Sequence, residues 1–432
     1  MDFITIDCGA SFVKAARFNG NGELVKRAVN QSPFGKNQIG SLTSLVGNIF
    51  SELLQESDST VCLCISNEMH GFLLAKNDGT PITDYISWQK EYGRIPLRGG
   101  SACEILSEYA QDVSNTGMPL RGGLPSVNLL YLRASGKLDK ISGDVYFYTL
   151  GDYILRALSE RQTETHLTNA AATGLVDLRT NDWNKKLLEV AAPSQIVFPK
   201  IGTEPVEFKF SGKKIIAFPA TGDQQAALYG ANLRNDDELS FNMGTGGQVS
   251  RIIHSPALST DYQVRPFLDG KYIKTIPHLP CGRALNVYFR FFRDVLQTFD
   301  AGKNDSDIWE ILLAAEEKSS DCGIDCDLSF FENAASPNVA GSIKNIGEYS
   351  LTVGGLMKAV LNRLAENFFV ASKKLSDGSD VQKILFSGGV ARKIKSVRER
   401  IIDMCGVKNF EVAADETLKG LFLYGSKELA KI

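Results

Sequence analysis

The feature that most restricts this chain is an order of elements that occurs twice. A glycine turn between two short apolar strands leads into strand–helix units, once at the N-terminus and again past the middle. In the first half, residues 2–7, 13–18 and 24–29 read as strands joined by turns at Gly9 and at Asn19-Gly20-Asn21-Gly22, an antiparallel meander. A helix is expected over about 38–55 and a strand over 60–66. A strand at 145–149 then leads into a helix over 152–159 that Asp152 would cap. The second half is expected to open at the strand 215–218, followed by a helix at 224–229. A hairpin, 239–243 and 248–253, flanks Gly244-Thr245-Gly246-Gly247. A helix over 353–375, a strand at 382–386 and the pair Gly388-Gly389 complete it. This repetition predicts a duplicated α/β architecture with domains at 1–230 and 231–432.

A chain of 432 residues can bury two or three cores. With 43% hydrophobic and 22% charged residues its composition is that of a globular protein, and the formal net charge of −3 without a long basic stripe argues against a nucleic-acid partner. No apolar run reaches membrane-spanning length, and the start lacks the basic and apolar regions of a secretory signal. A cytoplasmic protein without a membrane partner is therefore expected. The eight cysteines are scattered, and Cys62 and Cys64 sit in an apolar strand. Cys322 and Cys326 have no second Cys/His pair beside them, so free thiols in a reducing compartment are the reading.

Chemistry is suggested by three glycine turns and one aspartate. Asp7-Cys8-Gly9-Ala10-Ser11, with Lys14 just beyond, is the first turn; Gly244–Gly247 and Ser387-Gly388-Gly389 are the others. Glycine lets a backbone approach a ligand and turn its N–H groups toward an anion, and a carboxylate beside such a turn can hold hydrated Mg²⁺. A glycine pair between strands is, taken alone, an ordinary hairpin. Asp223, in Thr221-Gly222-Asp223-Gln224-Gln225, stands at a helix start. It reads either as an N-cap or as a carboxylate that takes a proton from an attacking hydroxyl.

In their order, these segments resemble the FGGY family of carbohydrate kinases, of the actin–Hsp70–hexokinase fold. Residues 6–14 resemble the family's first phosphate hairpin, and Ser66-Asn67-Glu68-Met69-His70-Gly71 is similar to the SGQMHG segment of xylulokinases and sedoheptulokinases. Trp88-Gln89 matches the start of the WQDxR stretch, and residues 151–153 and 168–183 resemble the family segments downstream of that stretch. Gly222–Ala227 corresponds to GDxQAA, Gly244–Gly247 to the second phosphate hairpin, Ser387–Ala391 to the adenosine motif and residues 414–425 to the closing helix.

The resemblance implies two actin-like (ribonuclease H-like) α/β domains around a central cleft, and an ATP- and Mg²⁺-dependent kinase acting on a small-molecule ketose. It implies Asp223 as general base and substrate contact, and Asp7 as the catalytic and metal-anchoring carboxylate. Met69, His70, Trp88 and Gln89 would contact the sugar. Gly9, Ala10, Ser11, Lys14, Gly244, Thr245, Gly246, Gly247, Gly388 and Gly389 would hold the nucleotide. A homodimer is the family-level expectation. The departures are Ala10 for a threonine, Glu68 for a neutral amide, and Lys90 and Tyr92 for an Asp and an Arg. They motivate the rival expectation, a catalytically silent sugar- or nucleotide-binding regulator on the same scaffold.

Overall fold

Successive side chains of a strand point to opposite faces, and the strands at residues 2–8 and 60–67 are apolar on both. Such strands need cover on each side. The computed structural model describes residues 1–33, 39–139, 141, 143–299, 302–336, 339–414 and 416–432, and it supplies that cover. β1 (Asp2–Cys8), β2 (Phe12–Phe18) and β3 (Leu24–Gln31) form an antiparallel meander. α1 (Ile39–Leu54) follows, and β4 (Thr60–Asn67) returns parallel to β1. Gln38, the expected start of this helix, lies outside the described residues.

β5 (Val206–Phe210), β6 (Lys213–Ala217) and β7 (Thr221–Gly222) complete the sheet, in the order β5-β6-β4-β1-β2-β3 with β7 paired to the end of β4. α2 (Asp223–Gly230) leaves directly from β7. The strand expected to open the second half therefore closes the first. β6 runs parallel to β4, with Lys214 opposite Thr60 and Ala217 opposite Leu63.

Ile4, Ile6, Leu63 and Ile65 share one apolar cluster with Leu42, Val46, Ile49, Phe50 and Leu53 of α1. The opposite face meets the C-terminal helix Glu416–Leu429, where Phe422 packs edge-on against Phe3 and a Cβ on Gly425 would overlap Cys64. Further along the chain, the helix expected to begin at Asp152 starts at Leu150. Thr149 is its cap, accepting the N–H of Asp152, and Asp152 is buried inside the first turn.

The chain divides into two units. The first comprises Met1–Gly230, Ile253–Ile273 and Asp415–Ile432; the second comprises Ala231–Ile252 and Lys274–Ala414. Beyond the change at 230/231, two later segments thus return to the first unit. The C-terminal helix returns because it and α2 touch backbone to backbone: a Cβ on Gly420 would overlap the Ala226 carbonyl, and one on Gly230 the Glu416 carbonyl. Segment 253–273 is tied to the same helix. Gln225 Nε2 donates to Pro266 O at 3.1 Å, and Tyr229 Oη to Asp269 Oδ2 at 3.2 Å.

In the second unit β8 (Glu238–Met243) and β9 (Gly247–Ile253) form a hairpin. α3 (Val353–Ser376) precedes β10 (Lys383–Ser387), which runs parallel to β8, and β11 (Asn409–Val412) lies parallel to β10. Phe241 of β8 packs against Phe386 of β10 and Phe368 of α3, with ring centroids 5.6 and 6.2 Å away.

The backbone contact of the C-terminal helix can be tested against a helical glycine in open space. Gly47 of α1 has nothing within 4 Å of an added Cβ. Gly47→Ala should stabilise by up to about 1 kcal/mol, the helix-propensity gain alone. Gly420→Ala should destabilise, because forcing the helices apart costs about 1–3 kcal/mol. Denaturant unfolding of both variants checks this; equal stabilisation would contradict the packing.

Candidate active site

Ligands of open α/β sheets sit beyond the carboxyl ends of parallel strands. β1, β4 and β7 are such neighbours, and their registers set what gathers there. Asp7 lies opposite Ser66, and Thr221 and Gly222 lie opposite Ser66 and Asn67. The next residues, Glu68 and Asp223, emerge at the same end. Ser66 Oγ donates to Asp7 Oδ1 at 2.9 Å, a bond between residues 59 apart in sequence. Glu68 N–H donates to Cys8 O at 3.0 Å, closing the strand ends.

Three carboxylates are concentrated in this small space. Burial pushes the Asp7 carboxyl above its usual range, although Lys14, its register partner on β2, and the Ser66 hydroxyl work against this. Asp223 is pushed up to about 7, by burial first and the nearby Asp7 charge second, with Glu68 adding to the effect. Its Oδ1 accepts the N–H of Gln224 at 2.7 Å. That contact is with the adjacent residue, whereas an N-cap reaches two or three residues on. Glu68, only 7% exposed, is pushed up to about 7 by burial, against hydrogen bonds from Tyr85 and Trp88. A carboxylate held near 7 can take a proton at neutral pH from a hydroxyl placed beside it.

Further residues hold this arrangement, Asn67, Thr168 and Asn169 from family-like segments and His166 and Arg265 without a sequence signal. Arg265 is buried; its guanidinium bonds the side chains of Gln224 and Gln263 and its charge acts on Asp223. Gly222 N–H donates to Thr168 Oγ1 at 3.0 Å. That hydroxyl lies 2.8 Å from His166 Nδ1, which also accepts the Thr168 N–H, so the His166 proton is on Nε2. Burial holds this imidazole down at about 4, hence neutral. Asn169 Nδ2 bridges Asn67 Oδ1 and Ala220 O, both at 2.8 Å.

The expected sugar-side residues divide into two groups. Met69 is buried over Gly222, immediately before Asp223. His70 follows with a left-handed φ of 66°, and its Nδ1 donates to Ala172 O at 2.7 Å. Both therefore flank the carboxylates. Trp88 is 47% exposed with its indole N–H toward Glu68, and Gln89 is an exposed turn residue beside it.

Gly9, Ala10 and Ser11 form the β1–β2 turn. Gly9 N–H donates to Phe12 O at 3.1 Å, and Ala10 and Ser11 are exposed. In the second unit the other two glycine turns meet each other. Gly388 has φ +88°, and a Cβ there would crowd the backbone of Met243 and Gly244. Residues 244–246 form a tight turn, with Gly244 N–H donating to Gly246 O at 3.1 Å. Gly282 and Arg283, opening the helix Gly282–Thr298, donate to Gly244 O and Thr245 O. No group of three or more His, Cys, Asp or Glu arranged as a metal cage occurs among the described residues.

Comparison with known proteins gives a family match over residues 3–228, to the model described as the N-terminal domain of the FGGY family of carbohydrate kinases. The glycerol kinase of Aquifex aeolicus is 29% identical over 269 residues, 56% of this chain and 52% of that protein. The chain thus spans about half the length of the curated relatives it matches. Among solved structures, the xylulose kinase of Lactobacillus acidophilus superposes with a TM-score of 0.83 at 19% identity, covering 100% of this chain and 90% of that one. The gluconate kinase of the same organism gives 0.82 at 20% identity, covering 99% and 89%. At such identity the likeness concerns fold: α/β, with two actin-like domains.

The raised Asp223 carboxyl carries a stability consequence. Its folded value of about 7 exceeds the ordinary 3.8, so the folded state holds an extra proton between these pH values. The stabilisation this provides is complete at acid pH and lost as pH rises through 7. Asp223→Asn should therefore be the more stable protein at pH 8, by on the order of 1–4 kcal/mol, and should match wild type near pH 4. Unfolding at the two pH values checks this; a variant less stable at pH 8 would contradict it.

Proposed function

The chain belongs to the FGGY family of carbohydrate kinases, and on that premise we propose that it transfers the γ-phosphoryl group of ATP to a hydroxyl of a sedoheptulose- or xylulose-like ketose. The observation that carries this reading is the convergence of Asp7 and Asp223 at the carboxyl ends of β1 and β7, with Asp223 held near 7. A silent binding module has no use for a proton acceptor so placed.

In the proposed reaction the sugar hydroxyl oxygen attacks the γ-phosphorus. Its proton goes to the Asp223 carboxylate, and the bond from phosphorus to the leaving oxygen breaks with its electron pair departing on ADP. Base assistance of this kind contributes roughly 10²–10⁴-fold. Met69 supplies an apolar surface beside Asp223, and His70, its ring held by the Nδ1 bond to Ala172 O, is the adjoining sugar contact. With the Gly9 N–H on Phe12 O and the Gly244 N–H on Gly246 O, the proposed phosphate donors are the N–H groups of Ala10 and Ser11 and those of Thr245 and Gly246. Gly388–Gly389 gives adenine a surface free of side chains.

The residues present suit a hydrated Mg²⁺. Asp7 is a buried carboxylate whose charge acts on Asp223, and Mg²⁺ takes one or two carboxylates while keeping most of its waters. Bound there, the ion would neutralise phosphate charge. Asp7 would hold it through water, oriented by Ser66. Eight unpaired cysteines favour a reducing compartment, and we place the protein in the cytoplasm.

The test is ADP release from Mg-ATP across a panel of ketoses, aldoses and polyols. A ketose-dependent signal is expected, and Asp223→Asn should lower kcat by about 10²–10⁴-fold. Asp7→Asn should raise the Mg²⁺ concentration needed for half-maximal rate. A ketose signal that survives Asp223→Asn would remove this residue from the base role, and no signal with any sugar would favour the silent relative.

A further inference from the structure

Glu68 is the carboxylate for which the proposed phosphoryl transfer has no use. It follows the last residue of β4, is nine-tenths buried, and is anchored through its N–H to Cys8 O. Tyr85 and Trp88 are the side chains that act on its carboxyl, and Tyr85 also senses the charge of Asp223. Two cations at this cluster act on the other carboxylates. Lys14 stands opposite Asp7, and Arg265 bonds Gln224 and Gln263 and acts on Asp223. Among the described residues, the groups that act on the Glu68 carboxyl besides its burial are Tyr85 and Trp88, neither of them a cation. A carboxylate without a cation in a buried setting is costly until a donor or a positive charge reaches it. Next to it in sequence are Met69, packed on the residue before Asp223, and His70.

We propose that Glu68 is a specificity-determining residue that accepts hydrogen bonds from the acceptor sugar, so that the protein takes neutral and, preferentially, ammonium-bearing ketoses and rejects sugar acids. The proposal rests on the kinase reading above. A hydroxyl of the substrate gives Glu68 a donor, and an ammonium gives it a donor and a compensating charge. A substrate carboxylate would be a third or fourth like charge beside Asp7, Glu68 and Asp223, and like-charge juxtaposition is a strong means of exclusion. The gluconate kinase that shares this fold acts, by its name, on such an acid. On this proposal Glu68 excludes that substrate class through charge rather than size.

The test uses three ketoses that differ only at the first carbon: fructose, 1-amino-1-deoxyfructose and 2-keto-gluconate. Binding to the intact chain is measured by calorimetry, with thermal unfolding to verify each variant. Wild type should bind the amino ketose about threefold or more tighter than fructose, and the keto acid at least about 30-fold more weakly. Glu68→Gln, of the same shape without the charge, should bring the three within about threefold. Equal wild-type binding of the keto acid and fructose would overturn the inference. So would an unchanged order in Glu68→Gln, or no binding of any of the three. If such a result accompanied ketose phosphorylation dependent on Asp223, the inference alone would fall and the kinase reading would stand.

Discussion

The parallel pairing of β1, β4 and β7 is the constraint on which the rest of the first unit depends. It brings residue 7, residues 66–68 and residue 223 to one edge of one sheet, although they are scattered over half the chain. A slip of one residue in either register would turn Asp7 away from Ser66 and toward the α1 face. The apolar alternation prevents it: Ile4, Ile6, Leu63 and Ile65 must stay against α1 for the core to remain dry. The helix packing and the carboxylate cluster thus follow from the same periodicity.

Crowding acidic groups there has a cost that the fold accepts. Burial raises the proton affinity of each carboxyl, and the charges of Asp7 and Glu68 raise that of Asp223 further, which leaves Asp223 and Glu68 near 7. Burial first and repulsion second make Asp223 a competent proton acceptor at neutral pH, and the same two effects give any bound cation or donor a reason to stay. Stability is given up where chemistry is to be done. The second unit shows a different economy: glycines replace side chains, and the turn at Gly388 presses against the turn at Gly244.

Much of the fold was legible because it is written locally. Glycine turns, period-two strands and the long amphipathic helix at 353–376 are short-range signals. What was misread depended on neighbours. Asp152 reads as a cap until Thr149, three residues earlier, is seen to fill that place. The strand at 213–217 reads as an opening until its partner is found at residues 60–63. The return of residues 253–273 and of the C-terminal helix depends on contacts such as Gly420 with Ala226, nearly 200 residues apart, that no local pattern encodes. At the site, Asp7 and Asp223 stood out because each sits beside a glycine turn. Tyr85 and Arg265 did not, because the groups they act with, Glu68 and Gln224, lie elsewhere in sequence and only the fold introduces them.

The central claim is that the Asp223 carboxylate takes the proton of the attacking hydroxyl. The pH dependence of kcat/KM for the preferred sugar, followed between pH 5 and 9, addresses it most directly. The account predicts a rate that rises with pH to a plateau with a midpoint near 7, because only the ionised carboxylate accepts a proton. It also predicts that this limb disappears from the residual activity of Asp223→Asn. A profile flat from pH 5 to 9, or an acid limb retained unchanged in Asp223→Asn, would contradict the claim.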